Sequence, residues 1–159
     1  FNKIRDFFKN KILLKGRGKI SKINKFNKKF FLIDESYNAN PLSVKSAIQN
    51  FSNIKKGGKR KYFLFGDMLE LGKNSHIYHK KISKFINNSD IDKTYVYGSN
   101  ASETYKSLNK QKQGEIIKDL KLFKNKIFNV LRDGDYLMIK GSNATRLHEV
   151  TKKFIGGSN

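Results

Sequence analysis

From Lys29 onward, short runs rich in Phe, Tyr, Ile and Val alternate with amphipathic stretches, and this alternation constrains the fold more than any other feature. The runs Lys29–Ile33, Lys61–Phe65, Thr94–Tyr97 and Tyr136–Lys140 have the β-branched and aromatic content of buried strands, and a shorter strand is expected at Gly114–Ile117. Helices are predicted between them over Pro41–Asn53, Ser75–Asn87, Ala101–Leu108, Leu120–Leu131 and Arg146–Phe154. In the second, Ile77, Ile82, Phe85 and Ile86 share a face; in the fourth, Leu120, Phe123, Ile127, Val130 and Leu131 recur at helical spacing. Strand and helix in alternation imply an α/β domain, with a mostly parallel sheet flanked by helices and right-handed crossovers.

The beginning of the chain reads differently. Ile20–Phe26 has the composition of a strand that pairs with Lys29–Ile33, whereas Ile4–Leu14 mixes apolar and basic residues and has no place in the alternation. Residues 1–15 are therefore expected to be the tail of a preceding domain, and residues 16–159 one domain of their own. A first residue of Phe and no signal-peptide layout fit a piece of a longer polypeptide. No apolar run approaches the roughly 20 residues of a membrane-spanning helix. The absence of cysteine excludes disulfides and thiolate metal sites.

Thirty-four Lys and Arg against 13 Asp and Glu give a formal charge of +21, which by itself favours polyanions. Only five of those cations are Arg, the better bidentate reader of phosphate and guanine, and the lysines are scattered along the chain among Asn and Ile. That distribution reads as a residue bias on solvated faces, so a nucleic-acid-binding α/β domain is the alternative rather than the expectation.

The polar loops carry the chemistry. In open parallel sheets, ligands bind beyond the carboxyl ends of the strands. Three loops follow candidate strands there: DESYNANP (Asp34–Pro41), GDMLELG (Gly66–Gly72) and KGSNATR (Lys140–Arg146). Asn40 and Pro41 are accounted for as N-cap and first helical residue. Asp34, Glu35, Tyr37 and Asn38 exceed what a turn requires, and mark a binding loop. Gly66 either lets a ligand approach the backbone or permits the turn. Lys140, the amides of Gly141–Asn143, the Ser142 hydroxyl and Arg146 are types that converge on a carboxylate or phosphate, or equally form a capped turn with a surface Arg. GSNA recurs at Gly98–Ala101 and Gly141–Ala144, a shared turn solution after two strands. His76 and His79 are spaced i, i+3 without a third ligand of suitable spacing, so no metal site is expected. No phosphate-cradling G-x-x-x-x-G-K-[ST] stretch occurs, so a complete nucleotide-hydrolysing site is absent from the chain.

The order GRG (Gly16–Gly18), IDESYNANP, GDMLELG with a downstream His, then KGS and Arg resembles the C-terminal domain of the Mur ligases over roughly Gly16 to Phe154. The resemblance implies a Rossmann-like fold and the last domain of a monomeric, three-domain cytoplasmic enzyme. Its N-terminal and central domains would belong to the same polypeptide. The member most resembled adds D-alanyl-D-alanine to a UDP-MurNAc-tripeptide, using ATP and Mg2+ to form an acyl phosphate. Neither nucleic acid nor membrane is an expected partner. Carried over by position, Arg17, Asp34, Glu35, Tyr37, Asn38 and Asn40 would bind the nucleotide. Asp67 and Glu70 would attract the dipeptide ammonium, with His79 matching the downstream His, and Lys140, Gly141, Ser142 and Arg146 would face its carboxylate. Two positions depart from the pattern: Glu35 stands where Asp is commoner, and Asn143 where the family usually has Arg. The complete catalytic and magnesium-binding set is expected in the central domain. Other amide ligases of the superfamily, of the folylpolyglutamate or cyanophycin synthetase type, are the alternative, against which the dipeptide-ligase loops argue.

Overall fold

The structure, a computed structural model, describes residues 18–25 and 27–156. Strands β1 (Lys19–Lys25), β2 (Lys28–Glu35), β3 (Lys61–Gly66), β4 (Lys93–Tyr97), β5 (Gln113–Ile117) and β6 (Tyr136–Lys140) form one sheet in the order β1-β2-β6-β3-β4-β5. Only β1 runs antiparallel; it pairs with β2 from Lys19↔Asp34 to Lys25↔Lys28, and Asn27 turns the hairpin at φ 61°. Asn tolerates that left-handed conformation better than most residues. Every other neighbouring pair is parallel.

Among the described residues, five α-helices cover the sheet: α1 (Pro41–Asn53), α2 (Ser75–Asn87), α3 (Ala101–Lys106), α4 (Leu120–Val130) and α5 (His148–Ile155). The period-two pleat divides the core. Phe63, Phe65, Ile33, Val96 and Met138 meet α1 and α2 on one face, through Val44, Ile48, Phe51, Ile82 and Ile86. Phe30, Leu32, Leu64, Leu137 and Ile139 meet α4 and α5 on the other, through Phe123, Ile127, Val150 and Phe154. Every residue of β3 is buried. Five fully buried phenylalanines, Phe30, Phe63, Phe65, Phe123 and Phe154, each contribute about 1.5–3 kcal/mol, which lets a 37% hydrophobic chain build a two-sided core.

The expected α/β class holds, and most elements lie where spacing placed them. Three details differ. The last helix begins at His148 rather than Arg146, because Arg146 adopts φ 63° at the end of a 3-10 turn over Asn143–Thr145 and so cannot start an α-helix. Ile77, expected on the buried face of α2, is 42% exposed while Ile82 and Ile86 are buried. Lys61, first residue of β3, is not solvated: its ammonium donates to the Phe51 carbonyl at 2.7 Å, the Ile54 carbonyl at 2.5 Å and Asp90 at 2.8 Å. It thereby gives a further donor to carbonyls at the C-terminus of α1, where the Phe51 carbonyl also accepts the Ile54 N–H at 3.2 Å. Burial pushes Lys61 down from the usual lysine range, and Asp90 offsets part of that.

Candidate functional site at the carboxyl edge of the sheet

The chain leaves β2 and β3 toward α1 and α2 on one face, and leaves β6, which lies between them, toward α5 on the other. Adjacent connections diverge there. In open α/β sheets this switch of direction opens the crevice where ligands bind. DESYNANP, GDMLELG and KGSNATR all emerge at it.

One residue laces the three loops together. The Ser142 hydroxyl accepts the Leu69 N–H at 2.9 Å and reaches the Ala39 carbonyl at 3.4 Å, while its own N–H donates to the Asp67 carbonyl at 3.1 Å. Leu147, fully buried, closes the rim from below. A Cβ added at Gly66 would lie 2.6 Å from the Leu147 side chain, and one at Gly141 would lie 2.8 Å from it. A side chain at either glycine would therefore force the buried Leu147 side chain to shift.

Within the first loop, Asp34 is buried; its Oδ1 accepts the Ser36 hydroxyl at 2.5 Å and the Ser36 N–H at 3.1 Å. Asn40 caps α1 through a reciprocal pair: its Oδ1 accepts the Ser43 N–H at 2.8 Å, and the Ser43 hydroxyl accepts the Asn40 N–H at 3.0 Å. Tyr37 and Asn38 are exposed at the mouth. The Lys140 ammonium is buried beneath them, donates to the Asn38 carbonyl at 2.8 Å and lies 3.7 Å from the Glu35 carboxylate. Burial pushes Lys140 down and Glu35 up, and each is partly restored by the other's charge.

In the second loop, the Asp67 Oδ1 accepts the Ala101 N–H at 2.7 Å, at the start of α3. Gly98, at φ +118°, passes so close that a Cβ there would sit 2.3 Å from this carboxylate. His79, fully buried, steers the same loop: its Nε2 accepts the Met68 N–H at 2.9 Å, and its Nδ1 lies 2.7 Å from the Ser75 carbonyl. Those partners require a neutral ring protonated at Nδ1. Burial holds the imidazole below its ordinary value, against the opposing pull of the Ser75 carbonyl and Asp67. His76, three residues earlier, is exposed, so the two histidines do not act together. Glu70, at φ 63°, faces solvent.

The convergence of Lys140, Ser142, loop amides and Arg146 on one anion is not what the structure contains. Lys140 turns to Glu35 and Asn38, the Ser142 N–H is committed to Asp67, and the exposed Arg146 pairs with Glu149 at 2.6 Å. Beside this rim, between β2 and α5, is a cavity of about 290 Å3. Asp34, Ser36 and Tyr37 line it from the β2 loop; Asn143, His148, Thr151 and Lys152 line it from the far side. Arg17 lies outside the described residues.

The "Mur ligase, glutamate ligase domain" family matches residues 21–143. The chain belongs to the Mur ligase family. It is 35% identical over 131 residues to the UDP-N-acetylmuramoyl-tripeptide–D-alanyl-D-alanine ligase of Buchnera aphidicola, covering 78% of this chain and 26% of that protein. It is 31% identical over 128 residues to the ligase of the same name from Bacillus subtilis, covering 78% and 28%. This Mur ligase domain thus spans just over a quarter of the length of those relatives. In fold it is similar to the MurF ligase from Thermotoga maritima in complex with ADP, with a TM-score of 0.76 at 21% identity, covering 91% of this chain and 31% of that one. The folylpolyglutamate synthase of the same organism is more distant, with a TM-score of 0.61 at 16% identity, covering 99% and 34%.

Residue types alone did not point to Leu147 or His148. Leu147 carried one signal, a lone apolar residue between a polar loop and a helix. His148 carried none: it is one histidine among the polar residues at a helix start, and its place on the cavity wall follows from the late start of α5.

Proposed function

We propose that this Mur ligase domain is the closing part of an ATP-dependent amide ligase that joins D-alanyl-D-alanine to UDP-MurNAc-tripeptide. The observation that carries the reading is the lacing of three loops by Ser142 at the switch point, in a chain whose curated relatives bear that activity by name. The enzyme is cytoplasmic and monomeric on this reading, and the N-terminal and central domains of the same polypeptide complete it. No described helix is long and apolar enough to cross a membrane.

The crevice has an acidic loop for hydroxyls and an aromatic ring at the mouth, and Arg17, by its match to the family arginine, would meet the phosphate oxygens. ATP supplies a phosphoryl group that makes the tripeptide carboxylate a good acyl donor. The amine of the dipeptide attacks that carbonyl, its N–C bond forms, the C–O bond to phosphate breaks, and the amine gives up a proton. Asp34, Glu35, Tyr37, Asn38 and Asn40 form the nucleotide side, and Asp67, Glu70, Gly141, Ser142 and Arg146 the dipeptide side. Lys140 and Asp67 act mainly by holding loops in place: Lys140 fixes the shape of DESYNANP, and Asp67 anchors GDMLELG to α3. Glu70, solvent-facing, is available to meet the ammonium end of a zwitterion, and Arg146 would meet its carboxylate by exchanging its exposed pair with Glu149. Among the described residues no group of three or more His, Asp or Glu can hold a metal, and on this reading the central domain would hold Mg2+.

In the full-length polypeptide, Arg17→Ala is expected to slow phosphate release by about 1,000-fold or more, the scale on which a guanidinium stabilises phosphoryl transfer. Steady-state kinetics with ATP as the varied substrate checks this. An unchanged rate removes the closing arginine from the account.

A further inference from the structure

We propose that Glu70 is the base that takes the proton of the attacking amine; this rests on the dipeptide-ligase reading above. Among the described residues, Glu70 is the one carboxylate with neither a hydrogen bond nor an ion pair; every other Asp and Glu accepts a hydrogen bond or faces a cation. The chain has 34 Lys and Arg against 13 Asp and Glu, so cations to neutralise it are plentiful, yet none of the described ones pairs with it. The loop that carries it is firmly held. Met68, fully buried, gives its N–H to His79 at 2.9 Å, Leu69 gives its own to Ser142 at 2.9 Å, and Leu71 packs against the core. Between these anchors Glu70 sits at φ 63°, a left-handed conformation that a residue with a side chain seldom adopts. Its exposed carboxylate thus stands at the rim of the crevice, beyond the carboxyl end of β3.

The reaction needs such a group. An α-amine is mostly ammonium at neutral pH, and ammonium has no lone pair with which to attack. Once the neutral fraction has formed the N–C bond, the nitrogen carries a positive charge and must lose one N–H proton before the tetrahedral adduct collapses to an amide. A free carboxylate serves at both points: it attracts the ammonium, and it accepts that proton. In the assigned step the amine lone pair forms the N–C bond and the N–H proton passes to a carboxylate oxygen of Glu70. The C–O bond to phosphate breaks, and its electron pair leaves on phosphate. Glu70 then returns the proton to water. The neighbouring candidates are committed elsewhere. Asp67 holds the Ala101 N–H and is packed against Gly98, Glu35 faces Lys140, and the His79 Nε2 lone pair is taken by the Met68 N–H. His76 is exposed beside Glu103 of α3, whose carboxyl it helps to hold down.

The test uses the full-length polypeptide with ATP and UDP-MurNAc-tripeptide, and compares two nucleophiles. D-alanyl-D-alanine needs the base; hydroxylamine is already neutral at neutral pH and attacks acyl phosphates without one. Glu70→Gln is expected to lower kcat for dipeptide ligation by about 100-fold or more, the usual contribution of a general base, while hydroxamate formation stays near the wild-type rate. Glu70→Asp, which keeps the carboxylate, should recover part of the loss. Glu70→Gly separates chemistry from folding. Glycine adopts the left-handed backbone without strain, so this variant should unfold at a denaturant concentration close to wild type and yet ligate as slowly as Glu70→Gln. A raised dipeptide KM with wild-type kcat in Glu70→Gln overturns the base and leaves only an ammonium contact. Loss of hydroxamate formation together with ligation overturns it too, since Glu70 would then act before the amine arrives. If wild type ligates the dipeptide and both Glu70→Gln and Glu70→Gly match it, this inference fails and the ligase reading survives. If wild type forms hydroxamate but no dipeptide amide, the dipeptide reading itself fails.

Discussion

Asp135→Ala is expected to lower the unfolding free energy by about 3 kcal/mol, at the lower end of what a broken buried ion pair costs. Asp135 is 2% exposed and closes the amino edge of the sheet. Its Oδ1 accepts the Arg60 N–H at 3.0 Å; its Oδ2 accepts the Arg60 Nη2 at 2.7 Å, the Arg60 Nε at 3.1 Å and the Arg132 N–H at 2.8 Å. The flanking backbone joins the same knot, with Phe31 N–H to the Asp135 carbonyl and Tyr136 N–H to the Arg60 carbonyl. Alanine leaves the Arg60 and Arg132 amides short of acceptors at the point where β2, β6 and β3 begin. The guanidinium side chain is 30% exposed and regains water, which keeps the cost near the lower bound. Urea unfolding with a shared slope measures the difference. A loss under about 1 kcal/mol would mean that the knot adds little to packing.

His79→Ala is expected to cost about 3 kcal/mol, from the cavity it leaves and from the unpaired Met68 amide. The ring packs 5.9 Å from that of Phe65 and spans two elements, so the GDMLELG loop should loosen with the core. The pH dependence adds a second signature. The folded imidazole is held below the unfolded value of about 6.5, so the unfolded chain takes up its proton first as pH falls. The contribution of His79 is therefore complete above about pH 6.5 and drains away as pH drops from there toward the folded value. The stability gap between wild type and variant should be narrower at pH 5.5 than at pH 7.5. Denaturant titrations at the two pH values check it, and a gap that stays constant or widens contradicts a neutral, buried His79.

Much of the fold was legible because its signals are local. Pro41–Asn53 and Ser75–Asn87 lie where a capped start and an apolar stripe put them, and Tyr136–Lys140 is the strand that its composition announces. Local pattern misled where a single backbone angle or a distant carbonyl decides. The φ of 63° at Arg146 delays α5 by two residues, and Lys61 is buried because its stem reaches carbonyls at the end of α1. That the three polar loops meet was legible too, since they follow strands that a parallel sheet must align. The work that each residue does was less so. Ser142 bonds partners 73 and 103 residues away, and Lys140 a partner 102 residues away, relations that no spacing along the chain encodes. Residue type marked Lys140 as an anion binder; its burial beneath Asn38 makes it a brace.

The most direct test is phosphate release from ATP by the full-length polypeptide with UDP-MurNAc-tripeptide, in the presence and absence of D-alanyl-D-alanine. Release that requires the dipeptide, accompanied by formation of the amide product, is the predicted result. Release indifferent to the dipeptide would contradict the dipeptide-ligase account, and would leave a Mur ligase fold serving a different amine acceptor.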